Sequence, residues 1–134
     1  MIERNDWIDG VDFAWIGLDG NKVPGLFYVP SSEVPNFVRN SYTFDSYNLL
    51  TDFIIDELNV VGNALTNKAW AKADAEKGLY VFEYNVENKT YIKIAEPDVL
   101  LSSETLGEFS ELLISLKVND FKAVKEIPLE SLVD

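Results

Sequence analysis

Leu79-Tyr80-Val81-Phe82-Glu83-Tyr84-Asn85, the four residues Val86-Glu87-Asn88-Lys89, and then Thr90-Tyr91-Ile92-Lys93-Ile94-Ala95 form the stretch that decides the fold. Aromatic and β-branched residues dominate both outer runs, the segment between them is turn-like, and Pro97 ends the second run. The pattern predicts a β-hairpin near 79–95. Tyr80, Phe82 and Tyr84 share one face of the first strand, with Leu79 and Val81 on the other. Two apolar faces place that strand in the middle of a sheet.

A second hairpin is expected near 11–29. Val11 to Leu18 is rich in aliphatic and aromatic side chains, Asp19-Gly20-Asn21 is a turn signal, and Gly25 to Val29 resumes the strand-like run. Pro24, Pro30 and Pro35 bracket that run, and because proline cannot donate to a ladder they predict a short strand near an edge. A loop through Ser31 and Ser32 follows.

Three helices are expected, at about 45–61, 66–76 and 104–116. In the first, Asp45 is the candidate N-cap, Leu50, Ile54, Leu58 and Val61 form one inward ridge, and Asp45, Asp52, Asp56, Asn59 and Asn63 gather on the opposite face. Leu49, Phe53, Ile55 and Val60 fill the rest of the circumference, so the helix is expected to pack on more than one side and to expose mainly its acidic strip. The second carries an alanine series with Lys68, Lys72 and Trp70, and Gly78 suits its C-terminal stop. In the third, Leu106, Phe109, Leu113 and Leu116 point inward, Glu104, Glu108 and Glu111 point outward, and Thr105 with Glu108 fits a capping box. Phe121 to Ile127 alternates as a last strand would. The fold class is α+β, a single domain over 1–134 with a mostly antiparallel sheet.

Composition narrows function. The 134 residues include 23 Asp and Glu against 11 Lys and Arg, a net charge of -12, with neither histidine nor cysteine. That field repels nucleic acid and anionic membranes and attracts basic partners. The missing His and Cys remove the commonest general base, the strongest nucleophile, thiolate metal sites and disulfides. The charge is uneven: residues 41–63 hold four acids and no base, residues 94–134 are also strongly acidic, and 64–93 alone has a positive balance.

Specific chemistries were weighed against plainer readings. Paired carboxylates such as Asp52 and Asp56 could serve a glycosidase-like reaction, but in so acidic a chain such pairs arise by chance. Asp6-Trp7-Ile8-Asp9-Gly10-Val11-Asp12 is a poor calcium loop, because apolar residues interrupt the alternation of oxygen ligands, and it reads better as a turn. No Gly-x-Ser-x-Gly elbow or phosphate-cradling loop occurs. Trp7, Trp15 and Trp70 are assigned to the core, since the chain lacks the basic groove that base stacking accompanies. The expectations are a binding protein and not an enzyme, with no cofactor, no metal and no nucleic-acid or membrane partner. Met1 to Asp6 lacks the features of a signal peptide, so a cytoplasmic protein is expected. The oligomeric state is left open.

The series Trp70, Ala73, Lys77-Gly78-Leu79-Tyr80-Val81-Phe82-Glu83-Tyr84, Tyr91-Ile92-Lys93-Ile94-Ala95-Glu96-Pro97, Leu100, Leu101 and Leu106 resembles a pattern common among small bacterial immunity proteins of polymorphic toxin systems. In that pattern a glycine opens a leu/phe-tyr-x-tyr/phe-asp strand, and the return strand ends in a tyr-x-x-ile-ala-x-pro turn. Val11 to Leu18, Asp19-Gly20, Gly25-Leu26-Phe27-Tyr28 and Val34-Pro35 look like the opening hairpin of the same family. Glu83 departs from the pattern's usual Asp, and the helix at 45–61 matches none of its motifs. The resemblance implies a protein that binds one cognate toxin domain and blocks it, with no catalytic residues.

Many toxins of these systems are basic nucleases, so charge selects the partner-facing residues: Asp45, Asp52, Asp56 and Glu57 first, then Glu104, Glu108 and Glu111. The like-charged i,i+4 pairs Asp52/Asp56 and Glu104/Glu108 point the same way. The alternative is an acidic interaction module, or a nucleic-acid-mimicking inhibitor of a DNA-binding protein.

Overall fold

A ladder of stacked aromatic rings runs through the centre of the protein. Trp15, Phe27 and Phe82 sit opposite one another on three adjacent strands and stack nearly parallel, Trp15 on Phe27 at 4.4 Å and Phe27 on Phe82 at 4.6 Å between ring centroids. Tyr91 meets Trp15 and Phe27 edge-on, and its hydroxyl accepts the Trp15 indole N–H at 3.3 Å. Phe121 closes the far side against Phe27, Tyr80 and Phe82. Such pairs contribute about 0.5–1.5 kcal/mol each beyond the burial of their area.

The computed structural model describes residues 12–133. The proposed turn at Asp6 to Asp12, the start of the first strand at Val11, and Trp7 therefore lie outside the described residues, Asp12 excepted. The strands are β1 (Asp12–Leu18), β2 (Pro24–Pro30), β3 (Ala64–Thr66), β4 (Tyr80–Asn85), β5 (Thr90–Pro97), β6 (Ile114–Ser115) and β7 (Glu126–Pro128). They form one mixed sheet in the order β3-β5-β4-β2-β1-β6, with β7 also paired to β5. Pairing is antiparallel except between β2 and β4 and between β1 and β6. With the helices α1 (Asn36–Arg39), α2 (Phe44–Asp52) and α3 (Lys72–Glu76), the class is α+β, and both expected hairpins are present.

Strand β4 is central, as its two apolar faces require. The edge position expected for β2 is wrong: β2 lies between β1 and β4. Pro24 and Pro30 occupy its first and last positions, so Gly25 to Val29 keep every N–H the two ladders need. Phe121 to Ile127 is not a continuous strand either, because only Glu126–Pro128 pairs and Phe121 to Ala123 is a turn.

Asp19 fastens the C-terminal segment to the first hairpin. Its buried carboxylate accepts the N–H groups of Asn21, Val23 and Phe121 at 2.9–3.0 Å. A second, smaller cluster of Ala71, Ala75, Val81 and Ala95 lets α3 lie close to the sheet. Gly78 ends this region with φ +95°, and a Cβ there would meet the Leu101 nitrogen at 2.4 Å, so glycine is required on two grounds.

All three expected helices are shorter than the periodicity suggested. The first is α2 followed by a π turn, Phe53–Glu57, closed by the Leu58 N–H on the Phe53 carbonyl. Its N-cap is Thr43, in a capping box with Ser46, and not Asp45. Lys77 stops it by donating to the carbonyls of Ile54 at 2.6 Å and Ile55 at 3.2 Å, a cation at the negative end of the helix. The chain then leaves to bond the Glu76 carbonyl through the Val61 and Gly62 N–H groups, which places Val61 outside the ridge of Leu50, Ile54 and Leu58.

The second expected helix begins in β3 and reduces to a 3-10 turn, Ala69–Ala71, plus α3. Trp70, expected in the core, is 48% exposed and meets Tyr28 edge-on. The third is a run of 3-10 turns over Ser103–Leu112, interrupted at Leu106 and Phe109 and capped by Ser102 on the Glu104 N–H, without the Thr105/Glu108 box. Among the described residues no helix is long and apolar enough to cross a membrane.

Candidate functional site

Two tyrosines place α2 against the open part of β1. Strand β1 pairs with β6 only at Gly17 and Leu18, so the outward N–H groups of Ala14 and Ile16 need other acceptors. The Tyr47 hydroxyl accepts from Ala14 at 3.1 Å and the Tyr42 hydroxyl from Ile16 at 3.4 Å. Tyr42 in turn donates to the Leu112 carbonyl at 2.9 Å. Burial pushes the Tyr42 hydroxyl well above the usual phenol range, so it remains a donor. That bond draws the 103–112 segment alongside α2.

Between the two segments lies an open groove of about 670 Å³. Leu49, Phe53, Phe109 and Leu112 give it apolar surface, with Phe53 and Phe109 joining the two sides at 5.1 Å between ring centroids. Asp52, Asp56 and Glu57 line it from α2 and the π turn, and Glu108 and Glu111 from the other side. No basic residue is among the described lining residues. None of these five acids forms an ion pair with a described residue.

Backbone geometry decides which of the seven predicted acids meet. In a π turn the residues four and five positions on straddle one line, so Asp56 and Glu57 both follow Asp52 into the groove. On the other side the 3-10 turns, interrupted at Leu106 and Phe109, bury Leu106 and bring Glu108, Phe109, Glu111 and Leu112 to the groove, with Glu104 left outside it. Glu104 is therefore not the i,i+4 neighbour of Glu108 that an α-helix would have made it, and it stands exposed outside the groove. Asp45 is exposed in the first turn of α2, also outside.

Reading the sequence by charge missed the apolar side of the groove. Leu49 is 64% exposed and Ile55 67%, so α2 and the π turn pack mainly through Leu50 and Ile54 and bare apolar surface as well as acid. The available signal was that Leu49 and Phe53 are four apart and flank Asp52 without belonging to the Leu50/Ile54/Leu58 ridge.

A smaller concavity of about 260 Å³ lies between the sheet and the helices, lined in part by Ala14, Leu26, Tyr28, Tyr47, Ile54 and Asp74. There the Tyr28 hydroxyl donates to Asp74 at 2.6 Å. Burial raises the Asp74 carboxyl above the ordinary carboxylate range, against the opposing pull of the Tyr28 hydrogen bond and Lys77. Burial, then the charge of Asp74, raises the Tyr28 hydroxyl too. The two groups satisfy each other, which suits a structural link between β2 and α3.

Among the described residues no group of three or more acids is arranged to hold a metal ion. No protein-family model matches the chain, and no curated protein or solved structure matches it either. Fold and site together define an α+β protein with a mixed seven-stranded sheet and an open groove whose two walls each contribute apolar and acidic side chains.

Proposed function

We propose that this protein is an immunity-type inhibitor, a cytoplasmic protein that binds one cognate toxin domain and neutralises it through the acidic groove. The partner is basic, as a nuclease domain would be, and the protein acts by binding and not by catalysis. The observation that carries this reading is the convergence of Asp52, Asp56, Glu57, Glu108 and Glu111, from segments some fifty residues apart, on one groove without a lining base. Like charges at i,i+4 cost about 0.2–0.5 kcal/mol per pair, a cost that a basic partner reverses. The hairpin resemblance supports the same assignment.

The test is co-expression with the toxin domain encoded immediately upstream. A stoichiometric complex and restored growth are expected, both lost on Asp52→Lys combined with Asp56→Lys; no complex and no rescue would contradict the assignment. Weak, salt-sensitive binding to many basic proteins would instead favour the acidic-module alternative, although exposed apolar groove surface is not what mimicry by charge alone requires.

A further inference from the structure

We infer that the groove receives an amphipathic helix of the partner, with an apolar stripe seated on Leu49, Phe53, Phe109 and Leu112 and lysine or arginine on both flanks. The inference rests on the acidic-groove reading and adds the form of the bound element. Exposed ion pairs contribute little affinity and chiefly govern encounter rate and specificity, so tight binding must draw on the apolar surface between the acids. An occupant that is only basic would leave that surface unused.

The walls then choose between extended and helical occupants. Both are helical, so their backbone groups are largely engaged within their own turns, and the groove offers no open ladder to a strand. An extended segment would enter with unpaired N–H and C=O groups, whereas a helix brings its own satisfied. From Ser46 to Glu57 the α2 side is about 16 Å long at 1.5 Å per residue, which matches three turns and anchors at i, i+3, i+4 and i+7.

The acids are strung along both sides and do not converge as ligands of a single cation would, which suits a row of basic side chains. The described helices of a second copy of this chain do not supply the element. Among the described residues the bases within its helices are Arg39 of α1, whose guanidinium donates to the Ser31 and Val34 carbonyls, and Lys72 of α3, a helix tied to the sheet through Ala75 and the Tyr28–Asp74 bond.

The probe is a synthetic peptide with leucine at helical third and fourth positions and lysine elsewhere, compared with a shuffled peptide of the same composition. Binding to the full-length protein is read by fluorescence anisotropy at about 0.15 M salt, where screening is already substantial, and helix formation by circular dichroism. The amphipathic peptide should bind about tenfold more tightly than the shuffled one and gain helix on binding. Leu49→Ser, at an exposed position that leaves the fold intact, should remove most of that advantage.

Equal affinity for the two peptides, or an advantage untouched by Leu49→Ser, overturns the inference. If Asp52→Lys with Asp56→Lys weakens both peptides equally while Leu49→Ser changes nothing, the bound helix is wrong and the basic-partner reading survives. If the lysine variant changes nothing, both fail.

Discussion

Trp15, Phe27 and Phe82 stack across three neighbouring strands and are fully buried, whereas Leu49, Phe53, Phe109 and Leu112 line an open groove together with five acids. Phe27 and Phe82 have paired strands on both sides, Trp15 has β2 on one side, and Tyr91 meets Trp15 and Phe27 edge-on. The second is held by side-chain links: Tyr42 to Leu112, Lys77 to Ile54 and Ile55, and Phe53 to Phe109. The sheet spends its aromatic surface on its own stability. The groove leaves apolar area in water and keeps like charges close together, an arrangement that a binding partner would relieve.

The contrast can be broken most forcefully at its core end. Phe27→Ala removes the middle ring of the ladder and should cost about 3–5 kcal/mol in urea unfolding; a loss below ~1 kcal/mol would mean that the stack contributes little. Tyr42→Phe deletes the hydroxyl that joins β1 to the groove wall, leaving the buried Ile16 N–H without its acceptor, and should cost about 1–2 kcal/mol. If thermal melting and partner affinity are both unchanged in that variant, the groove is not positioned through Tyr42.

Asp74 tests a different junction, that of β2 with α3, through pH. Its folded-state affinity for a proton is raised above that of the unfolded chain, so its contribution is most favourable at acidic pH and declines as pH rises from the ordinary carboxylate range through the raised value. Asp74→Asn keeps an acceptor for Tyr28 and removes that decline. The Tm difference should therefore move in the variant's favour as pH increases, and a difference independent of pH would contradict the burial of a charge there. The smallest effect has the opposite sign to ordinary damage. Asp52→Asn relieves like-charge repulsion and should stabilise the free protein by about 0.2–0.5 kcal/mol while weakening the partner complex; lower stability on urea titration would show that Asp52 has a structural role.

The two hairpins were legible because strand periodicity and turn chemistry are local. The centrality of β4 was legible too, from Leu79 and Val81 opposite Tyr80, Phe82 and Tyr84. The position of β2 was not, because Pro24 and Pro30 look alike in sequence whether they end a central strand or mark an edge. Helix lengths differ for non-local reasons: the π turn after α2 ends where Lys77 takes the Ile54 and Ile55 carbonyls, and the 103–112 segment yields its Leu112 carbonyl to Tyr42. Leu106 and Phe109 fit an α-helical and a 3-10 pattern equally well, so their spacing could not tell the two apart.

Of the seven acids that charge selects, five line the groove, and Asp45 and Glu104 lie outside it. It gave no sign of the apolar surface between them. Helical periodicity assigns Leu49 to packing, because a hydrophobic residue on a helix is more often buried, yet Leu49, Ile55 and Val60 are exposed.

The central claim is that one groove, and not the overall acidity, binds the partner. The most direct measurement compares two charge-matched variants for affinity to the proposed basic partner: Asp56→Lys with Glu108→Lys, on opposite sides of the groove, and Asp45→Lys with Glu104→Lys, outside it. The account predicts at least about a hundredfold loss for the first pair and little change for the second at about 0.15 M salt. Equal losses for the two pairs would contradict it and return the function to net charge alone.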